Sequence, residues 1–238
     1  MKVIARCILT LATAGAAASA VTRSAGAQPA AHDTTPAAKS EQLGSVMAMG
    51  TWAVAPFLGA ARHSPAGYNW GITPDRSHLI VGVHFTTPVL RAGGLTLLYA
   101  PNVVPLVVVT NNPRYETVVT GGIARKVERS RGLVYGAGLV PFGLQAEARP
   151  RPRLDVYSMA GLGGVLFSDY MPQDGARRLN FSIEFGGGVV LGTPSHRAFQ
   201  LGYKFYHLSN MYTARENPGV DAHLVYFGFR WQKRLPRE

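Results

Sequence analysis

Residues 197–233 read RAFQLGYKFYHLSNMYTARENPGVDAHLVYFGFRWQK. Successive side chains of a strand point to opposite faces. On that period Phe199, Tyr203 and Phe205 share one face, and Gln200, Gly202 and Lys204 share the other. Val225, Phe227, Phe229 and Trp231 oppose Gly228, Arg230 and Gln232 in the same way. A little upstream, Phe181, Ile183 and Phe185 oppose Ser182, Glu184 and Gly186. Three strands with one aromatic and one polar or small face are the pattern of a membrane barrel, with aromatics toward lipid and polar groups toward the lumen. A soluble barrel that binds a lipid inside would reverse the two faces.

Working outward, eight strand-like stretches appear at 48–60, 78–89, 94–110, 132–148, 153–167, 178–192, 197–210 and 220–233. No segment has convincing helical periodicity. The connections alternate: long (61–77), short (90–93), long (111–131), short (149–152), long (168–177), short (193–196) and long (211–219). Outer-membrane barrels have an even number of antiparallel strands, short periplasmic turns and longer outer loops. The fold expected is therefore all-β, an eight-stranded antiparallel transmembrane barrel. Pro101 and Pro105 fall inside the third stretch, where proline is tolerated only at an edge or bulge. A bulge or a shorter strand is expected there.

Composition agrees. The 238 residues are 47% hydrophobic and 16% charged, against about 25% charged in an ordinary soluble domain. Outside the extreme N-terminus no apolar run is long enough for a membrane helix. Aromatic residues and 27 glycines suit a single domain of strands and turns. This composition excludes a coiled coil and a disordered chain.

The N-terminus reads as an address. Lys2 and Arg6 precede an apolar stretch, Cys7 to Val21, and Ala25-Gly26-Ala27 has the small-x-small pattern of a cleavage site. Residues 1–27 are expected to be a signal peptide cleaved after Ala27, residues 28–44 a disordered linker, and residues 45–238 the barrel. Cleavage removes Cys7, the only cysteine, together with three positive charges. It lowers the net charge from +11 to +8.

A chemical constellation lies at the end of the seventh stretch. His207 and Ser209 are two residues apart and share a face. By parity that face meets lipid, where polar side chains are costly without a purpose. Asp221 opens the eighth stretch on the face of Phe227. A hairpin centred near residue 214 sets His207 opposite Asp221. The three can then act as nucleophile, base and orienting carboxylate. The plainer reading assigns His207 and Ser209 to the wet aromatic belt of an ordinary barrel.

From about Asp155 to Trp231 the chain resembles the PagL-type lipid A 3-O-deacylases, or acyloxyacyl hydrolases. The resemblance rests on MAGLGGVLFS (159–168), LNFSIEFGGGVVLG (179–192), LGYKFYHLSNMY (201–212) and NPGVDAHLVYFGF (217–229). It implies an esterase site on the barrel exterior that removes the acyl chain at the 3-position of lipid A. Ser209 becomes the nucleophile, His207 the general base and Asn210 the contributor to oxyanion stabilisation. The family's best-known acid is Glu; the matching position here is Asp221, one methylene shorter, with Glu216 as the fallback acid. His223 shares the Asp221 face and reads as an interfacial residue.

The basic residues acquire a position on this reading. Arg114, Arg125, Lys126, Arg129 and Arg131 fall in the second outer loop, and Arg177 and Arg178 close the third. Lipid A carries phosphates, and arginine suits phosphate contacts. Arg125, Lys126, Arg129, Arg177 and Arg178 are the candidate phosphate contacts, against the alternative of solvated loops. Arg149, Arg151 and Arg153 lie in a short inner turn, away from any substrate.

The function expected is lipopolysaccharide remodelling in the cell outer membrane. Lipid A is the expected substrate and membrane lipids the surroundings. No nucleic acid is expected, and a homodimer is left open. No metal or organic cofactor is implied, because no residue cluster has metal-ligand spacing. The competing reading is a non-enzymatic small outer-membrane barrel with a structural or binding role.

Overall fold

A computed structural model of the protein describes residues 47–65, 70–193 and 197–234. The expected signal peptide and linker lie outside the described residues. Among the described residues nine strand segments follow one another: β1 (Thr51–Ala61), β2 (His78–Ala92), β3 (Leu95–Tyr99), β4 (Asn102–Thr120), β5 (Ile123–Arg151), β6 (Leu154–Met171), β7 (Arg177–Gly192), β8 (Arg197–Ser209) and β9 (Val220–Arg234). Every strand pairs antiparallel with its neighbours. β1 pairs with both β2 and β9, so the sheet closes on itself as a ring.

β3 and β4 occupy one place in that ring, both lying between β2 and β5. The ring thus has eight positions, as the periodicity predicts. The interruption falls at Ala100–Pro101. Proline has no N–H to give to the ladder. The ladder is bridged across the gap by Ala100 N–H to Gly143 O (2.8 Å) and Phe85 N–H to Pro101 O (2.9 Å). Around Pro105 the β4–β5 register shifts between Val104 and Val107, the irregularity expected of an internal proline.

The expected long loop at 111–131 is corrected. β4 and β5 continue as a two-stranded ribbon, paired from Asn112↔Gly132 to Thr120↔Ile123. Gly121 and Gly122 turn the chain with φ of +58° and +77°. Positive φ at both central residues defines a type I′ hairpin turn, which matches strand twist and strongly favours glycine. The β-branched run Thr117-Val118-Val119-Thr120 supplies strand propensity beside it. The arginines assigned to a loop therefore stand on a ribbon.

The faces follow the parity read from the sequence. Phe199, Tyr203, Phe227 and Trp231 are exposed on the exterior, with Leu139, Leu162 and Leu166 on other strands. The interior is not uniformly polar. Near the short-turn end and midway, fully buried Lys204 meets Glu184 (2.5 Å) and Arg230 meets Glu147 (2.6 Å). Asn102 donates to Glu184 (2.6 Å) and Gln145 to Glu147 (2.7 Å). Toward the long-loop end Val107, Val109, Val134, Phe167 and Leu208 fill the interior instead. An eight-stranded barrel is just wide enough for side chains to fill. Charges taken out of water need such partners, because an unpaired buried charge costs several kcal/mol.

Candidate functional site

The site is assembled where β8 ends and β9 begins. The ladder pairs His207 directly with Asp221, the register expected for a hairpin centred near residue 214. On the other side His207 faces Ile183 and Ser209 faces Phe181, both on β7. His207 and Ser209 share the outward parity, and Ser209 is the last residue of its strand.

His207 Nδ1 lies 2.6 Å from Asp221 Oδ1. Asp221 is long enough after all, because direct cross-strand pairing brings its short carboxylate up to the imidazole. With the aspartate ionised, Nδ1 carries the proton and donates it to the carboxylate. Nε2 is left as the acceptor nitrogen. That is the tautomer a general base requires.

Both residues sit on the outer face of the wall, yet His207 is only 6% and Asp221 1% exposed. The cover comes from residues 70–73, in the connection between β1 and β2. Ile72 N–H donates to Pro218 O (2.8 Å) and Thr73 N–H to Gly219 O (3.3 Å), laying this segment along the entry to β9. Asp221 Oδ2 accepts N–H bonds from Gly71 (2.9 Å) and Trp70 (3.2 Å). The Trp70 indole stands edge-on to His207, with centroids 5.5 Å apart, and also meets Phe205 (5.8 Å) and Phe185 (6.0 Å). The connection is tied at its base by buried Ser64, whose hydroxyl donates to Thr73 O (2.8 Å) and accepts from Arg76 N–H (2.9 Å). Beside it the His63 ring, hydrogen-bonded to Asp75, holds that carboxyl below its usual range.

Asn210 is buried in the β8–β9 connection. Its backbone N–H donates to Asn217 Oδ1 (2.9 Å) and its side-chain amide to Glu216 O (2.7 Å). Its carbonyl accepts from the Thr213 N–H (3.0 Å) and hydroxyl (2.7 Å). These bonds fix the chain that follows Ser209. The amide nitrogen has a second hydrogen beyond the one given to Glu216. The Glu216 carboxylate is turned elsewhere, accepting from Gln173 Nε2 at 2.5 Å. Of the two candidate acids, Asp221 is the one in contact with His207. His223 lies outward, hydrogen-bonded to the Tyr203 hydroxyl.

The candidate phosphate contacts separate into two groups. Arg177 Nε donates to Thr213 O (2.8 Å), in the same connection as Asn210, and Arg178 Nε donates to Phe167 O (2.9 Å). Arg125, Lys126 and Arg129 stand on the ribbon. Lys126 caps the Tyr115 ring at 4.7 Å and Arg129 pairs with Glu116. Sequence reasoning did not find Trp70 and Gly71. Their connection has no periodicity, and their partner Asp221 is 150 residues away from Gly71.

A family model described as PagL, lipid A 3-O-deacylase, matches residues 111–230, which include His207, Ser209, Asn210 and Asp221. No curated protein matches the chain. Among solved structures, the crystal structure of the outer membrane enzyme PagL is similar over 78% of this chain and 99% of that one, at 13% identity and a TM-score of 0.50. Neisserial surface protein A is similar over 76% and 96%, at 13% identity and a TM-score of 0.43. At such identities the likeness is one of fold.

Proposed function

Since the chain belongs to the PagL family of lipid A 3-O-deacylases, we propose that it is an outer-membrane esterase that hydrolyses the 3-O-linked acyl chain of lipid A, with Ser209, His207 and Asp221 as its catalytic residues. The observation that carries this reading is the 2.6 Å contact between His207 and Asp221 on the outward face, with Ser209 next along that face. A hydrolytic pair turned toward lipid suits a substrate whose ester bond lies at the membrane surface.

His207 Nε2 takes the hydroxyl proton of Ser209 as Oγ bonds to the ester carbonyl carbon. The carbonyl electron pair moves onto oxygen, for which the second amide hydrogen of Asn210 is the side-chain donor nearest in sequence. Asp221 stabilises the imidazolium formed in that step. Collapse of the intermediate breaks the bond to the sugar oxygen, which takes the proton from His207. Water, deprotonated by the same imidazole, then cleaves the acyl-serine ester. The fatty acid leaves and Ser209 is regenerated.

The exposed apolar exterior supports placement in a bilayer, with the long-loop end outward. Residues 1–27 supply the export signal on this reading. Arg177, bonded to the β8–β9 connection at Thr213, is the best placed of the basic residues to meet a lipid A phosphate. The test is the mass spectrum of lipid A from cells expressing the wild type, Ser209→Ala or His207→Ala. The wild type should remove one 3-O-linked hydroxyacyl chain and both variants none. An unchanged spectrum with the wild type would indicate a non-enzymatic barrel.

A further inference from the structure

We infer that Trp70 and Gly71 are positioning residues for the catalytic acid, so that the site is completed by the β1–β2 connection and not by β8 and β9 alone. The inference rests on the esterase reading. It goes beyond that reading because residues 70–73 lie outside the segment that the family model matches.

Asp221 has two oxygens to satisfy in a nearly water-free place. One meets His207. The other has no donor on β8 or β9, and its two N–H bonds both come from Trp70 and Gly71. Losing them would leave half of a buried carboxylate unpaired and free to rotate away from the imidazole. Two fixed donors instead hold the carboxylate so that Oδ1 is presented to Nδ1.

Gly71 is required by space. A Cβ built there would lie 2.7 Å from Asp221 N, 2.8 Å from Val220 C and 2.9 Å from Asp221 Oδ1. Backbone atoms cannot yield as a flexible side chain can, so any larger residue lifts the segment off Asp221. Trp70 contributes in a second way. Its indole closes over the imidazole edge and the Phe185–Phe205 pair, yet 46% of the residue stays exposed on the membrane side. It restrains the His207 ring and screens the His–Asp contact from water, where the interaction would be weaker.

The experiment is a double-mutant cycle on purified, folded protein with lipid A in mixed micelles. Folding is checked by heat-modifiable gel migration and Ser209→Ala sets the floor. Gly71→Ala should lower kcat roughly tenfold to hundredfold, the change expected when hydrogen bonds to a buried carboxylate are lost. KM should stay within about twofold, because the substrate itself has lost no contact. In the Asp221→Ala background the same change should remove little more, since the acid it positions is gone. Trp70→Ala should also lower kcat, and Trp70→Phe should recover much of that loss. If Gly71→Ala does not fold, the cycle of Trp70→Ala with Asp221→Ala reads instead the coupling of the Trp70 indole to the His207–Asp221 pair. Full kcat in Gly71→Ala and Trp70→Ala would overturn the inference. So would losses that persist undiminished without Asp221. Activity in Ser209→Ala would instead overturn the esterase reading.

Discussion

Asp221 stands opposite His207 in the β8–β9 ladder, and its Oδ1 lies 2.6 Å from the imidazole Nδ1. The pair is made by two adjacent strands, so its geometry is as rigid as the sheet. Such a contact can hold one imidazole tautomer through a reaction in which the ring gains and loses a proton. Removing the acid should therefore be costly. Asp221→Ala is expected to lower kcat for lipid A deacylation by roughly 10³–10⁴, the scale seen when the acid of a serine hydrolase triad is disabled. Glu216→Ala should stay within about threefold, because its carboxylate bonds to Gln173 and not to His207. Steady-state kinetics of the two variants side by side distinguish the acids; the reverse order would reassign the role.

Asn210 follows Ser209 and is held by Glu216 and Asn217. If its amide stabilises the oxyanion, Asn210→Ala should lower kcat by roughly 10²–10³ with little change in KM. Asn217→Ala removes only the acceptor for the Asn210 N–H and should cost less. Equal losses in both variants would mean that Asn210 serves to order the connection and does not touch the reacting carbonyl.

The interior ion pairs make a stability prediction independent of catalysis. Lys204→Met leaves the Glu184 carboxylate buried with Asn102 as its remaining partner. Breaking one side of a buried pair costs roughly 3–5 kcal/mol. Adding Glu184→Gln removes the orphaned charge and should restore a large part of that loss. Urea unfolding of the barrel in lipid vesicles, followed by tryptophan fluorescence, measures both variants. A double variant no more stable than the single one would contradict the pairing.

The ribbon predicts a local effect. Gly121→Val forces a β-branched residue to a φ of +58°, a strain of roughly 1–3 kcal/mol. The ribbon should open while the ring stays closed. Limited proteolysis should then cut between residues 116 and 128 much faster than in the wild type, and the remaining barrel should keep its heat-modifiable migration. Unchanged protection would show that the tip is held by more than its turn.

How much of this was legible in advance varied with the range of the interactions. The aromatic face of 197–205 and 225–231 and the His207–Asp221 register follow from a two-residue period and one hairpin centre. Both are local quantities. In the sequence the ribbon looks like a loop because its arginines and polar residues resemble a solvated stretch. Its strand character depends on a Gly-Gly turn whose conformation composition does not reveal. Pro101 and Pro105 were legible as a disturbance, because a missing N–H is a property of the residue itself.

By itself, then, the sequence determined an all-β barrel of eight positions, the direction in which each strand faces, and the placement of His207, Ser209 and Asp221 on one outward surface. Alternation dictates all of these, and alternation is written in the chain. Only the tertiary structure put Asp221, and not Glu216, in contact with His207, and only it brought Trp70 and Gly71 onto Asp221. Those outcomes depend on how two connections cross the wall. Gly71 and Asp221, 150 residues apart, are joined by a backbone N–H donated to a carboxylate; any residue but proline carries that donor, so no side-chain pattern announces it.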